Sequence, residues 1–380
     1  MPAAQTVRTI YALPRNAQRL HYPDLYRGAR AAEGKDSTPM LTKPDIQDEL
    51  LINHLVDVYG VCVDQLVFLP LGADVHTAVY QVDADDDGTY FLKLRRGPLD
   101  EMSVILPAFL SDQGITEIIA PLRTTNGQLW SRLDSFTVIL YPFVEGRDAY
   151  EVELSPHQWI EFGAALRRIH AARLPASLRC SLPHETYSPY WREQVRGFRK
   201  RMLNGDWGDP LAAELAMFLQ AKATRIDELV EGAERLGQVL QERSREWVLC
   251  HADIHAGNLL LSQDGSLYIV DWDTSILAPK ERDLMFVGSG LGPGWNHPHT
   301  TAWFYRGYGP AEVDLLALAY YRCERLVQDI AAFCEQILST TEADQDRRQS
   351  LRYLVSNFEP DGVAEIAQQS CRLAEDAGRR

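Results

Sequence analysis

The stretch His251-Ala252-Asp253-Ile254-His255-Ala256-Gly257-Asn258 is too polar and too irregular for a helix or a strand, and it follows a short apolar run over residues 247–250. Beyond it, residues 259–261 and 267–270 are apolar on either side of Asp264-Gly265, a dipeptide that favours a tight hairpin turn. A two-residue turn there sets residue 263 opposite 266 and, carried along both strands, Asn258 opposite Asp271. An amide oxygen beside a carboxylate at the open end of a hairpin is a hard-oxygen pair. It suits Mg²⁺, which takes one or two carboxylates and fills its octahedron with water and phosphate oxygens. Asp253, a few residues upstream, is then placed to orient and deprotonate a hydroxyl for in-line attack on a γ-phosphoryl group. Positioning and charge neutralisation supply most of the acceleration in that reaction.

The elements that must hold this loop are legible in the periodicity. From Ile46 the positions Leu50, Leu51, Leu55 and Val58 recur at helical spacing, with Gly60 as a stop. Strands are predicted over 66–69, 77–82 and 89–94, the last two joined across Asp85-Asp86-Asp87-Gly88. A helix over about 100–111 and strands over 118–121, 129–132 and 136–141 complete a small, mostly antiparallel sheet with one helix. At Pro142 the pattern changes. Ser155-Pro156-His157-Gln158 opens a helix as N-cap, first-turn proline and capping-box glutamine, and Ser188-Pro189 opens another in the same way. Long amphipathic stretches near 210–243 and 311–338 make this half helical, so the fold class is α+β with two lobes meeting near residues 143–147.

With 380 residues, two packed units and an appendage are expected. The appendage is residues 1–43, with seven basic residues against three acidic ones and no sustained apolar period; it reads as a flexible or start-site-dependent extension. Thirty-eight Lys plus Arg face fifty-three Asp plus Glu, a formal charge of −15 that repels phosphate backbones and anionic lipid and favours cations. Nucleic acid is therefore a poor partner. The longest apolar run, residues 136–144, is about half the ~20 residues a membrane-spanning helix needs, so no membrane span is expected. Six scattered cysteines (Cys62, Cys180, Cys250, Cys323, Cys334, Cys371) form no C-x-x-C pair, which points to a reducing cytoplasm without disulfides.

The pattern H-x-D-x-x-x-x-N at His251, Asp253 and Asn258, followed by a hairpin and Ile269-Val270-Asp271-Trp272-Asp273, resembles the catalytic and metal loops of kinase-like phosphotransferases. It looks like the aminoglycoside phosphotransferase and choline kinase branch, which lacks the D-F-G triplet of protein kinases. Within that branch, the run from Leu277 to Phe286 and the run Tyr187-Ser188-Pro189-Tyr190-Trp191-Arg192-Glu193 are similar to members that phosphorylate spectinomycin. The likeness covers residues 43 to about 370.

The resemblance implies a two-lobed protein-kinase-like fold with ATP between a nucleotide-binding lobe over 44–143 and a helical catalytic and acceptor-binding lobe over 144–380. It implies a strand lysine, for which Lys93 qualifies, and an anionic brace in the next helix, for which Glu101 is the candidate beside Asp100. It implies that the connecting segment Tyr141-Pro142-Phe143-Val144 presents backbone groups to the adenine edge, and that residues 71–76 cover the phosphates, although they hold one glycine where protein kinases have G-x-G-x-x-G. The implied activity is ATP- and Mg²⁺-dependent phosphorylation of a hydroxyl on a cationic aminocyclitol antibiotic, spectinomycin first. The alternative acceptor is a small metabolite such as choline, methylthioribose or homoserine, and the sequence assigns no oligomeric state.

Other chemistries compete for these residues. Asp and Asn in turns commonly satisfy their own backbone, but that reading makes His251, Asp271, the hairpin and the lysine strand coincidences. His251, Asp253 and His255 also have H-x-D-x-H spacing suited to a transition metal, which leaves Asn258, Asp271 and Lys93 without a role. A nucleotide-binding pseudoenzyme conflicts with the intact Asp253, Asn258 and Asp271. His251 reads as a buried organiser of the loop, because the transfer needs only one general base. Asp273 is either a third acid on the metal side or an exposed strand end, and Asp283 reads as a structural anchor paired with an arginine.

Overall fold

The computed structural model describes residues 43–69, 77–85, 88–203, 205, 207–243, 246–289, 294–339 and 344–378. Residues 1–42 and the phosphate-covering turn expected at 71–76 lie outside the described residues.

The smaller lobe begins with α1 (Asp48–His54), which runs into one π-helical turn (Leu55–Tyr59) and stops at Gly60, whose φ of +71° only glycine adopts at little cost. Five strands follow: β1 (Val63–Leu69), β2 (Thr77–Ala84), β3 (Thr89–Arg96), β4 (Ser131–Leu133) and β5 (Phe136–Pro142). They pair antiparallel in the order β1-β2-β3-β5-β4. Because side chains alternate along a strand, Leu92 and Leu94 of β3 enter a core with Leu51, Leu55, Tyr80, Val82, Val138 and Leu140. Lys93 belongs to the opposite face, across from Val79 and Ile139.

Between β3 and β4 lies α2 (Met102–Asp112). Its buried residues Met102, Leu106 and Leu110, with Ile115 and Ile118, join the larger core of the helical lobe rather than that of the sheet. The strand expected over 118–121 reduces to one parallel bridge from Ile118 to Ile269. Pro121 has no N–H to extend a ladder.

The helical lobe holds β6 (Gly146–Asp148), α3 (Pro156–His170), α4 (Ala176–Ser181), α5 (Tyr190–Leu203), α6 (Pro210–Ala221), α7 (Ala223–Gln241), β7 (Val248–Cys250), β8 (Leu259–Ser262), β9 (Leu267–Ile269), β10 (Ile276–Ala278) and α8 (Glu281–Leu284). It ends with α9 (Pro298–Tyr308), α10 (Leu315–Leu338), α11 (Asp344–Ser356) and α12 (Val363–Gly378). The capping box read at Ser155 and Gln158 is formed. Helices α3 and α9 cross in contact because Gly163 and Gly307 carry no side chain. A Cβ on Gly307 would lie 1.8 Å from the Ile160 carbonyl oxygen. That close crossing sets His170, the last residue of α3, against Tyr308, the last of α9. No described helix is long and apolar enough to cross a membrane.

The β8–β9 hairpin corrects the expected register. Leu259 pairs with Ile269 and Leu261 with Leu267, so Asn258 stands opposite Val270 and not Asp271. The loop has three residues, Gln263-Asp264-Gly265, with Gly265 at φ +89° and its N–H bonded to the Ser262 oxygen at 3.0 Å. The Asp264 carboxylate takes the Ser262 hydroxyl and the Ser266 N–H, and these local bonds favour the longer loop over a two-residue turn.

Candidate active site

Four hydrogen bonds close a ring around the loop after β7. The Asp253 N–H meets His251 Nδ1 at 3.3 Å, and His251 Nε2 meets the Val270 carbonyl at 3.0 Å. The Val270 N–H donates to the Asn258 carbonyl at 3.0 Å, and Asn258 Nδ2 donates to the Asp253 carbonyl at 2.8 Å. Asp253, Asn258 and, one residue past Val270, Asp271 therefore hang from one closed frame. Burial pushes the His251 imidazole below its ordinary value, against the pull of nearby Asp283, Asp253 and Asp271, so it stays neutral as the ring requires.

Behind the ring stands Asp283, fully buried. Its carboxylate accepts the N–H of His251 at 3.0 Å and of Ala252 at 2.7 Å, and it pairs with His170 Nε2 at 3.0 Å. His170 Nδ1 in turn meets the Tyr308 hydroxyl at 2.7 Å. The anchor role expected of Asp283 holds, but its partner is a histidine and two backbone amides rather than an arginine. Ala252 and Asp271 both sit at φ +68°, a conformation non-glycine residues adopt only when neighbours enforce it. At Ala252 the Asp283 bond does so. At Asp271 the left-handed turn ends the strand and frees the carboxylate from the alternation of the hairpin.

The Asp253 carboxylate is itself held. Arg325 Nη1 lies 2.5 Å from Oδ1 and His255 Nε2 lies 3.5 Å from Oδ2, while Arg325 Nε reaches Asp329 at 3.0 Å. Burial alone would raise the Asp253 carboxyl, but the hydrogen bond from His255 and the Arg325 guanidinium outweigh it and hold it well below the usual carboxylate range. It is ionised at neutral pH. Of the charged and aromatic residues of α10, Arg325 and Asp329 face this loop. Tyr320 and Tyr321 are buried in packing, Glu324 pairs with Arg192, and Arg322 binds the Met285 and Val287 carbonyls.

The groups expected at a metal and nucleotide are differently placed. With Nδ2 of Asn258 committed to Asp253, Oδ1 is the atom left over, and the exposed Asp271 carboxylate has no hydrogen bond or ion pair among the described residues. An amide oxygen and a free carboxylate on one frame fit a hard divalent cation such as Mg²⁺. Lys93 also lacks an ion pair among the described residues. The expected bond to Glu101 is not formed: Glu101 is the exposed N-cap of α2, whose buried side faces the helical lobe. Two residues beyond Lys93 on the same strand face, Arg95 reaches Asp273 at 3.6 Å, so Asp273 ties the sheet to the loop after β9. In the connecting segment, Pro142 has no N–H and Phe143 donates its own to Thr89 at 3.0 Å. Val144 keeps the one backbone donor of the three without a partner among the described residues.

No spacing in the sequence ties Arg325, Asp329, His170 or Tyr308 to this loop. Arg325 lies 72 residues from Asp253 and the Asp283–His170 pair spans 113, separations at which sequence spacing carries no signal. A cavity of about 940 Å³ is lined in part by Arg167, Lys280, Tyr308 and His170, the histidine that pairs with Asp283.

An antiparallel sheet with a strand lysine, joined by a short connector to a helical lobe that carries an anchored H-x-D-x-x-x-x-N loop, defines a kinase-like phosphotransferase. The chain belongs to the phosphotransferase enzyme family, whose model matches residues 67–320, and it is an enzyme that moves a phosphoryl group to an alcohol acceptor. A crystal structure of spectinomycin phosphotransferase in complex with ADP and spectinomycin is similar at 40% identity and a TM-score of 0.80, over 86% of this chain and 99% of that one. Its AMP-bound complex is similar at 39% identity and a TM-score of 0.76, over 84% and 98%. An aminoglycoside phosphotransferase from Alicyclobacillus acidocaldarius shares the fold at 14% identity and a TM-score of 0.59, over 88% and 97%. Protein StrN of Streptomyces griseus is 29% identical over 232 residues, 57% of this chain and 67% of that protein.

Proposed function

We propose that this enzyme transfers the γ-phosphoryl group of ATP to a hydroxyl of an aminocyclitol antibiotic, spectinomycin first, and so inactivates it in the cytoplasm. The observation that carries this reading is the 40% identity with spectinomycin phosphotransferase over nearly the whole of that chain. The net charge of −15 also suits a cationic acceptor. In this reading Asp253 accepts the hydroxyl proton while His255 and Arg325 fix its orientation. Asn258 and Asp271 hold Mg²⁺, which when bound neutralises phosphate charge. Lys93 pairs with phosphate oxygens, Val144 donates its N–H to the adenine edge, and Phe143 and Pro142 wall the base slot. The nucleotide lobe is assigned to 44–143 and the catalytic and acceptor lobe to 144–380.

Incubation with γ-labelled ATP and a panel of spectinomycin, other aminocyclitols, choline and methylthioribose tests donor and acceptor together. Labelled phosphate on spectinomycin is expected. Efficient labelling of choline or methylthioribose with none on spectinomycin would replace the acceptor assignment.

A further inference from the structure

Cys323 on α10 and Cys371 on α12, 48 residues apart in sequence, bring their sulfur atoms to 3.0 Å. The register that does this is set by their neighbours. Arg322 donates to the Ser370 hydroxyl at 2.8 Å one residue before each cysteine, and the buried face of α12 is built from Val363, Ala364, Ala367, Ser370 and Ala374. Small side chains let the two helix axes come close, and on the other side α7 presents Gly232, where a Cβ would lie 3.8 Å from Cys371 Sγ. Cys323 is fully buried, whereas Cys371 is partly exposed. Of the remaining four cysteines, Cys62 and Cys180 are exposed, Cys250 and Cys334 are buried, and none meets another sulfur among the described residues.

We infer that Cys323 and Cys371 are a redox-active dithiol, which a small-molecule disulfide converts to an intramolecular disulfide that staples α12 to α10. The reachable thiolate of Cys371 attacks the small disulfide, breaking its S–S bond and releasing one thiol. Cys323 then loses its proton and attacks the Cys371 sulfur, expelling the second thiol. Two protein thiols are oxidised, one small disulfide is reduced, and the two protons end on the released thiols. The hydrogen bond from Cys323 holds the Cys371 thiol below its ordinary range, which favours Cys371 as the attacking group. Until an oxidant arrives the pair stays reduced, as expected in a reducing compartment. The staple matters because α12 is held by alanines, each of which removes little apolar area from water.

The inference does not rest on the proposed acceptor, and its test needs no turnover. In full-length protein with Cys62→Ser and Cys180→Ser, which silence the exposed thiols, oxidised glutathione should remove two thiols and lower the mass by about 2 Da without an adduct. A non-reducing digest should join the Cys323 and Cys371 peptides, dithiothreitol should separate them, and Tm should rise by about 5–10 °C on closure. Cys371→Ser should abolish the rise; should that variant not fold, the peptide map of the parent decides alone. A persistent glutathione adduct at Cys371, a link to another cysteine, or two thiols that stay reduced overturns the proposal.

Discussion

The two sides of the cleft are built on different principles. On the loop side every polar group that positions Asp253 already has its partner: the four-bond ring, the Asp283 carboxylate behind it, and the Arg325–Asp329 pair in front. On the proposed nucleotide side Lys93, Asp271 and the Val144 N–H are unpartnered among the described residues; strand register places Lys93, while Asp271 and Val144 lie just past the ends of β9 and β5. Pre-organised dipoles cost no rearrangement when charge develops in a transition state. Unpaired charged groups are tolerable where water reaches them, and they gain most when a charged ligand arrives. In the proposed reading the base is thus assembled in advance, and the metal and nucleotide ligands await theirs.

That contrast predicts different failures on the two sides. The largest belongs to Asp271, since the proposed metal site then keeps only an amide oxygen. Asp271→Ala is expected to abolish magnesium-dependent turnover, read by phosphate release, with the melting temperature little changed because the carboxylate has no partner among the described residues. Magnesium-dependent activity in that variant would show that the metal sits elsewhere.

Next is Asp253→Asn, expected to lower kcat by about 10² to 10⁴ while nucleotide affinity is kept, the usual worth of a positioned general base. Near-normal turnover would refute the assignment. Asp283→Ala should act through stability instead. Removing one member of a buried charged network costs about 3–5 kcal/mol, and urea unfolding should show that loss, whereas Asp271→Ala should show almost none. Equal losses in the two variants would dissolve the distinction between a braced and a waiting side.

Lys93→Met comes after these. Losing a charge-assisted contact to phosphate costs about 1.5–3 kcal/mol, so the nucleotide KM should rise roughly 10- to 100-fold with little change in unfolding. Glu101→Ala should leave KM within about twofold, because the pair is not formed here and an exposed carboxylate contributes little. A Glu101 effect as large as that of Lys93 would mean that the two join once nucleotide is bound.

What the sequence disclosed and what it hid divide along the same line. Periodicity placed the sheet, the capped α3 and the loop after β7, because those signals are local. The hairpin register slipped by one because Ser262 and Ser266 bond to Asp264 and stabilise a three-residue loop, a side-chain effect that the Asp-Gly dipeptide conceals. The slip did no harm to the site, since the left-handed backbone at Asp271 sets that carboxylate outside the ladder. The braces were hidden for another reason. Arg325, His170 and Tyr308 reach the loop through helix packing, including a crossing of α3 on α9 that Gly163 and Gly307 permit, and no short-range pattern encodes that.

The smallest effect expected is a pH dependence that isolates the ring. His251 has a folded pKa below its ordinary 6.5 because burial disfavours the imidazolium. Between the folded and ordinary values the unfolded chain binds more protons than the folded one. The stability contributed by neutral His251 is therefore full above about 6.5 and is lost as pH falls below it. Asp253 and Asp283 add their own loss only at lower pH, since both are held below their ordinary 3.8 and their contributions disappear as pH falls through the folded values. Chemical unfolding from pH 8 down to 4.5 should thus show a gentle fall beginning near 6.5. In His251→Asn, where the replacement does not titrate, the whole curve should sit lower and that limb should flatten. A limb that survives unchanged in the variant would assign it to another histidine and remove the neutral imidazole from the frame that holds Asp253.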